Sequence, residues 1–574
     1  MTDEEPPSTP NGVEELSELG VLVVDCQATG ANPAHGAVLE LGWGIARASL
    51  PNVAHLQAHW VALPPETAVP FQVRRLTGFD ESQIEAALAP REAWERLRST
   101  MSFAERIPAA IHFAKFELAF LRDWSTRFEP QHDFPLDAVC VHAIACRLYP
   151  DLPRRSLRAL AGFMGYGLDP ARRRSMGHVE ATAFIWRKLA AELSALGIRT
   201  WNQLGDWLHA PPSARKRKRR YPLPSARWRA LPDAPGVYRF LRSNGDVLYV
   251  GKAASLKKRV AGHFTAGSST TERALEMLTQ VHEIETTPAP TALEAALLEN
   301  EAIKALRPPY NVQLIVDDPR MWFCSKNLDS VSPRPDETHS LGPLPSTFSV
   351  RALGAIAALL AGDAPSSSLR ARAVEEPERF APGAAVFAEG LATFAERHAL
   401  KGTSSVAAAQ SALVGTARAL LRAAKTAESI DAELESDETN GARWEWDVDR
   451  VVRHLERAVA HGYQLLQRAR WLCLLRESAV VVREPAGEPL RLLVLSGGAI
   501  VESRDLSPEE TIAPGERRPL AAGKLQFDRS EYDRLRTLTT ELRRVLRDGG
   551  SAAVRVGRTR WIRDRALNAL LYWV

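Results

Sequence analysis

Cysteine is too scarce and too scattered in this chain to build a scaffold. The five residues, Cys26, Cys140, Cys146, Cys324 and Cys473, are odd in number and never form a CxxC pair, which excludes a disulfide framework and a closed structural zinc site. They read as reduced, unligated thiols. No apolar run approaches the roughly 20 residues that a membrane-spanning helix needs, so a membrane is excluded as a partner. MTDEEPPSTPNG, acidic and proline-rich rather than basic then apolar, does not read as a secretory signal. Residues 1–17 are expected to be a disordered tail, and the protein to be cytoplasmic. There is no internal repeat and no strong imbalance of charge: 73 Lys and Arg against 69 Asp and Glu leave +4. With a pI near 8.8, that total fits a nucleic-acid enzyme and many other proteins equally well.

What is present exceeds one core. At 574 residues, 45% hydrophobic and 25% charged, the chain calls for several domains, each burying its own interior. Residues 18–205 carry an α/β pattern, 230–315 a compact β-hairpin and helix pattern, and 316–574 a mixed α+β pattern with Ala-rich helical stretches. The expected class is a multidomain α/β protein. Between the first two blocks, over 206–229, lies the run Arg215, Lys216, Arg217, Lys218, Arg219, Arg220, set between Pro211-Pro212-Ser213 and Tyr221-Pro222-Leu223-Pro224. Six like charges repel and stay solvated, so the run is a linker that can also draw in phosphates by counterion release.

The middle block holds the densest chemistry. Gly236 to Arg242 alternates as a strand, Asn244-Gly245 is a hairpin signal, and Asp246 to Gly251 returns. With Asn244 and Gly245 as a two-residue turn, Tyr249 faces Phe240 and Gly251 faces Tyr238. Tyr238 and Tyr249 then become diagonal neighbours about 7–8 Å apart or somewhat less. Gly251, without a side chain, would leave room there for a phosphate; an aromatic core stripe is the plainer reading. Ser255 is placed to cap a helix through Phe264 that buries Leu256, Val260 and Phe264. Thr291 and Glu294 form a capping box for a second helix that ends before Pro308-Pro309. Glu299 shares a side with Ala295, Ala296 and Ile303, so its carboxylate points toward small apolar residues; a surface Glu is the plainer reading, with Glu301 as its control.

Together PGVYRF, LYVGKAASLKKRV, EAALLENEAIK and RPPYNVQL resemble the GIY-YIG nuclease domain of the UvrC excision nucleases. The resemblance implies that Tyr238 and Tyr249 are the motif tyrosines and that Lys252 and Arg259 are the basic residues at the scissile phosphate. It further implies Glu299 as the single ligand of Mg²⁺ (or Mn²⁺) and Asn311 as a substrate-positioning amide. The chemistry these groups permit is phosphodiester hydrolysis: a phenol near pKa 10, depressed by a neighbouring cation, takes a proton from water. Lys252 is the expected cation, with Arg259 meeting the charge that develops on the phosphate. One carboxylate suffices for Mg²⁺, which keeps several waters.

The first block ends a strand at Asp25, continues through Gln27-Ala28-Thr29-Gly30, and later runs Ile111 to Leu121 from strand into helix. It is similar to the DEDD exonucleases of the DNA polymerase III epsilon type, which implies an RNase H-like fold with two metals held by four carboxylates. Asp25 and Glu117 match two of those acids. Gln27, a neutral amide, stands at another, and aligning Ala181-Thr182-Ala183 puts His178 at the fourth and Arg173 at the catalytic histidine. Glu180 is the alternative should that alignment shift. A catalytically degenerate domain retained to bind DNA or position the nuclease is the expected reading.

The resulting function is a UvrC-like DNA repair endonuclease acting in nucleotide excision repair, with DNA and damage-recognition proteins as partners. Two alternatives stay open: a 3′→5′ exonuclease whose middle domain only binds DNA, and a non-catalytic DNA-binding scaffold. No second nuclease pattern follows residue 320. Trp444, Trp446 and Arg558-Thr559-Arg560-Trp561 read as core packing before base stacking.

Overall fold

The computed structural model describes residues 14–65, 67–101, 106–168, 174–211, 219–265, 271–311, 321–400, 402–423, 445–485, 489–507, 510, 512, 527–556 and 559–572. Arg173, the run Arg215 to Lys218, Trp444 and Arg558 lie outside them. The chain divides into two compact units, Met1–Ala295 with Ala302–Leu314, and Ala296–Glu301 with Ile315–Val574.

In the first unit β1 (Val21–Ala28), β2 (Val38–Ala46), β3 (Val53–Trp60), β4 (Ile107–Ile111) and β5 (Leu136–Cys140) form a sheet in the order β3-β2-β1-β4-β5. β1, β2 and β3 are an antiparallel meander, while β4 and β5 run parallel with β1. Alternation along β1 sends Val21 and Val23 to one core and Leu22 and Val24 to the other. The first core is closed by the helix Ser175–Ala195 through Val179, Trp186 and Leu189. The second is closed by Pro90–Thr100 and Ala114–Phe128 through Trp94, Phe120 and Leu121. Covered on both faces, β2 is buried along its whole length. Each large apolar side chain enclosed this way contributes about 1.5–3 kcal/mol.

The same unit contains a three-stranded sheet of β6 (Gly236–Leu241), β7 (Val247–Ala253) and β8 (Glu283–Pro288) in the order β7-β6-β8. The helices Leu256–Thr265, Glu272–Gln280 and Ala292–Leu306 accompany it. Its core gathers Tyr238, Phe240, Leu248, Leu256, Val260 and Phe264. The helix Glu272–Gln280 packs on Leu157–Phe163, a helix of the first body. Across that seam Arg154 pairs with Glu272, Ser156 Oγ donates to Glu276 Oε2 at 2.9 Å, and Phe163 stacks on His282 at 5.6 Å. The other oxygen of Glu276, Oε1, accepts from the Tyr310 hydroxyl at 2.9 Å. Arg242, only 5% exposed, donates to Gln280 Oε1 at 3.1 Å.

The second unit opens with the sheet β9 (Trp322–Ser325), β10 (Val331–Ser332) and β11 (His339–Leu344). It continues with helices packed round the long helix Val448–Leu475 through Phe387, Phe394, Leu413, Val451 and Leu455. Trp446 belongs to this packing, its Nε1 donating to the Phe380 carbonyl at 2.6 Å. The unit ends with β12 (Ala479–Arg483), β13 (Arg491–Ser496), β14 (Ala499–Asp505), β15 (Ser551–Val556) and β16 (Arg560–Arg563), ordered β14-β13-β12-β15-β16. That order mirrors the first sheet, but β12 and β15 are antiparallel where β1 and β4 are parallel. It is a different fold. Among the described residues no helix is long and apolar enough to cross a membrane.

Candidate active site

The hairpin carries the site, and its register follows from the alternation: Tyr238 faces Gly251 and Phe240 faces Tyr249. The turn differs from the expected two residues. Arg242 N–H donates to Asp246 and Gly245 N–H to Arg242, with Gly245 at φ 86°. This is a three-residue loop, Ser243-Asn244-Gly245, whose glycine takes the left-handed position. The extra loop residue shifts Leu241 onto Val247, and an irregularity beside Leu248 restores the register at the tyrosines.

Tyr238 is fully buried and its ring centroid lies 6.0 Å from that of half-buried Tyr249. The space over Gly251 is taken by the tyrosines themselves. A Cβ there would meet the Tyr238 hydroxyl at 2.5 Å and Tyr249 Cε1 at 2.8 Å, so the glycine admits the phenols rather than a phosphate. Both phenols hydrogen-bond Arg259, from the helix Leu256–Thr265. Tyr238 first, then Tyr249, hold its guanidinium above the usual pKa. Strand alternation sets Lys252 on the side of β7 opposite Tyr249 and Gly251. The cation at the phenols is Arg259.

One participant was not found from the sequence. His263, four residues after Arg259 and therefore one helical turn on, shares a 2.7 Å hydrogen bond with the Tyr238 hydroxyl through Nε2. Burial, aided by the Arg259 charge, lowers its pKa to about 4, so the imidazole is neutral near pH 7. Its spacing from Arg259 was the available signal.

Asn311, 9% exposed, spends its amide on one residue: Oδ1 accepts from Val250 N–H at 2.9 Å and Nδ2 donates to Val250 O at 2.8 Å. β7 is an edge strand, and this pairing covers the edge beside Tyr249. Asn311 thereby holds the strand. The helix Ala292–Leu306 starts at Thr291, whose hydroxyl accepts from Glu294 N–H at 3.1 Å and meets Glu294 Oε2 at 3.0 Å. It ends at Arg307, φ 44°. On it Glu299 is half-buried and Glu301 exposed, while Ala295, Ala296 and Ile303 are buried. Among the described residues no three His, Cys, Asp or Glu side chains gather as a metal cage. A lone carboxylate fits an octahedral Mg²⁺ that keeps its waters.

In the first body the exonuclease-like residues do meet, in another arrangement. His178 Nδ1 lies 3.2 Å from Asp25 Oδ1. Burial lowers the His178 pKa, but the Asp25 charge and hydrogen bond outweigh it and raise it overall. Glu117 is 5% exposed, and burial with the Asp25 charge pushes its pKa up to about 9. Opposite Gln27 on β2 stands Glu40, a fully buried acid that the sequence reading did not single out. It accepts from Arg174 Nε at 2.6 Å and from Ser175 N–H at 2.9 Å. Glu180, two residues past His178, faces about 200° round the helix from it. Asp25 is thus paired with His178 and Glu40 with Arg174, and Gln27 brings a neutral amide. This donor set does not fit two divalent cations.

The family model for the UvrC-like GIY-YIG domain matches residues 234–312. The UvrABC system protein C of Alkalilimnicola ehrlichii is 44% identical over 135 residues, covering 22% of this chain and 22% of that protein. A Mycobacterium tuberculosis protein described as a bifunctional exonuclease/endonuclease is 27% identical over 334 residues, covering 57% of this chain and 49% of that one. The magnesium-bound GIY-YIG domain of UvrC from Thermotoga maritima is 33% identical, with 15% of this chain and 93% of that chain covered and a TM-score of 0.14. The chain spans about a fifth of the length of the first relative and about half of the second. Residues 234–312 are a UvrC-like GIY-YIG domain, which this chain joins to an exonuclease-like one.

Proposed function

We propose that the protein is a DNA repair endonuclease that hydrolyses a phosphodiester at Tyr249, with Arg259, Tyr238, His263 and Asn311 supporting it, Glu299 as the metal ligand and Lys252 as a further basic residue on the other side of β7. The observation that carries the reading is Arg259 in contact with both phenols of one hairpin face. Tyr249 is the phenol placed to meet a water, because it is half-exposed whereas Tyr238 is buried and tied to His263. The Arg259 charge favours a phenolate at Tyr249, which can then accept the proton of the attacking water. The same guanidinium can stabilise charge on the phosphate oxygens as the bond breaks. With the imidazole neutral and Tyr238 donating, Nε2 of His263 is the acceptor that fixes the Tyr238 hydroxyl. Asn311 keeps β7, and with it Tyr249, in place. Glu299 would hold a Mg²⁺ or Mn²⁺, which supplies Lewis-acid stabilisation of the leaving oxygen when bound.

By likeness to the UvrABC relatives, the proposed reaction is a UvrC-like incision in nucleotide excision repair, with damage-recognition proteins as partners. The exonuclease-like body positions the nuclease domain, its acids being engaged as described. The test uses the purified full chain with MgCl₂ or MnCl₂ on end-labelled duplexes, with and without a bulky lesion. Wild type should nick; Tyr249→Phe and Glu299→Ala should each lose nicking by orders of magnitude while duplex binding persists. Undiminished nicking by Glu299→Ala would remove the metal assignment, and the absence of any cut by wild type would favour a scaffold.

A further inference from the structure

Two glycines of the exonuclease-like body lie against the supports of the nuclease hairpin. In the helix Leu157–Phe163, a Cβ at Gly162 would come within 1.9 Å of Gln280 Oε1 and 2.4 Å of its Cδ. Glycine is a poor helix former, so what this position offers is the close approach of Gln280. Gly167, farther along the same body, faces the two residues that flank the hairpin loop: a Cβ there would meet Arg242 Nη1 at 2.8 Å and Asp246 Oδ2 at 2.9 Å.

Gln280 and Glu276, one turn apart on the helix Glu272–Gln280, carry this contact inward. Gln280 Oε1 accepts from Arg242 Nε at 3.1 Å, and its Nε2 donates to the Tyr310 hydroxyl at 2.6 Å. That hydroxyl donates to Glu276 Oε1 at 2.9 Å, while Glu276 Oε2 accepts from Ser156 Oγ at 2.9 Å. Gln280 and Tyr310 are both buried, where hydrogen bonds are electrostatically stronger than in water. Beyond Tyr310 the path reaches the reacting strand. Tyr310 N–H donates to the Leu248 carbonyl at 3.2 Å, and the Asn311 amide pairs with both backbone groups of Val250. Leu248 and Val250 are the chain neighbours of Tyr249. Ser156 and Gly162 therefore bear on Tyr249 through two side chains and one phenol.

We propose that Glu276 and Gln280 are positioning residues for the cut at Tyr249, and that the helix Leu157–Phe163, docked on them, sets the nuclease site in its working geometry. The exonuclease-like body then acts on the rate of the reaction rather than on capture of the duplex. A misplacement of about 1 Å at a reacting group can cost on the order of 10²-fold in rate. Members of one hydrogen-bonded path couple, so losing two of them costs little more than losing one. The inference rests on the reading of Tyr249 as the phenol that meets the water; the hydrogen-bonded path to it does not.

The test is steady-state nicking of an end-labelled duplex by the full chain with MgCl₂, read as kcat and KM separately. Glu276→Ala and Tyr310→Phe should each lower kcat by about tenfold or more with KM little changed, and the double variant should fall no further than either alone. Glu276→Gln, whose amide still accepts from Tyr310 and donates to Ser156, should keep most of the wild-type kcat. Gly162→Ala, a change made wholly in the exonuclease-like body, should reproduce the Glu276→Ala loss. Should exchange across Ser175–Ala195 show that Gly162→Ala unfolds its body, Ser156→Ala, which removes only a hydroxyl, should give a smaller loss of the same kind. Amide exchange at Val250 should quicken in each impaired variant. Unchanged kcat in Glu276→Ala and Tyr310→Phe overturns the proposal, as do losses that multiply in the double variant. A loss confined to KM overturns it too, in favour of a body that binds DNA. Failure of wild type to nick counts against the nuclease reading, and the path is then judged by exchange alone: faster exchange at Val250 in Glu276→Ala and Ser156→Ala upholds it, and unchanged exchange ends it.

Discussion

Replacing Glu117 by Gln should stabilise the exonuclease-like body, and by more as the pH rises. The side chain is 5% exposed, its Oε2 is buried without a partner among the described residues, and the Asp25 charge stands beside it. Its folded pKa is therefore raised from 4.5 to about 9. Above pH 4.5 the unfolded chain releases this proton while the folded chain retains it, so wild-type stability declines by about 1.4 kcal/mol per pH unit up to the folded value. The accumulated loss is about 3 kcal/mol at pH 7 and about 6 kcal/mol at pH 9, an upper bound because any water admitted to the site would relieve part of it. Glutamine has the same shape and no proton to lose. Since about 1 kcal/mol moves the melting temperature of a 150–250-residue body by some 2–4 °C, Glu117→Gln should melt about 10 °C higher at pH 7 and nearly level with wild type at pH 4.5. Hydrogen exchange across Ala114–Phe128, measured from pH 5 to 9 after correction for the intrinsic rate, isolates this body from the rest of a multidomain chain. Parallel stabilities of the two proteins across that range would refute the buried-proton account.

Other outcomes follow from the nuclease domain. His263→Phe should lower nicking by about 10²-fold or more, the scale of a positioned acid–base group, with duplex binding retained; wild-type turnover would remove His263 from the machinery. Because burial, with Arg259, holds the folded His263 pKa at about 4, below its unfolded value, the stability it confers is present above pH 6.5 and lost as the pH falls toward 4. His263→Gln should flatten that acid limb in a melting-temperature series. Asn311→Ala removes two hydrogen bonds from the β7 edge and should cost about 2 kcal/mol of local stability, read as faster exchange at Val250. EDTA should abolish nicking without moving the melting temperature, since a lone carboxylate is a poor structural metal site.

Local chemistry made much of this legible in the sequence. The alternation around Asn244-Gly245 placed Tyr238 against Gly251 and Tyr249 against Phe240. Ser255 and Thr291 cap their helices as their residue types predict. The number of loop residues was misread, because Asn-Gly serves a two- or a three-residue loop alike. What escaped is long-range. Glu40 becomes a partner of Arg174 only when the helix Ser175–Ala195 is laid on β2, some 135 residues away, and no period in the sequence announces it.

The seam between the two bodies of the first unit has a consequence for how such a chain could change over time. A break within the charged linker looks like a clean joint, but Glu276 accepts from Ser156 on one side and from Tyr310, next to Asn311, on the other. Deleting the exonuclease-like body would strip Ser156 from Glu276, lay Arg242 and His282 open, and loosen the segment that seats Tyr249. Substitutions such as those at Gln27 and His178 leave that seam untouched. The contacts of Glu276 therefore join the two bodies whether or not the exonuclease-like one acts on a substrate, and a fusion of this kind is held together by packing as well as by its linker.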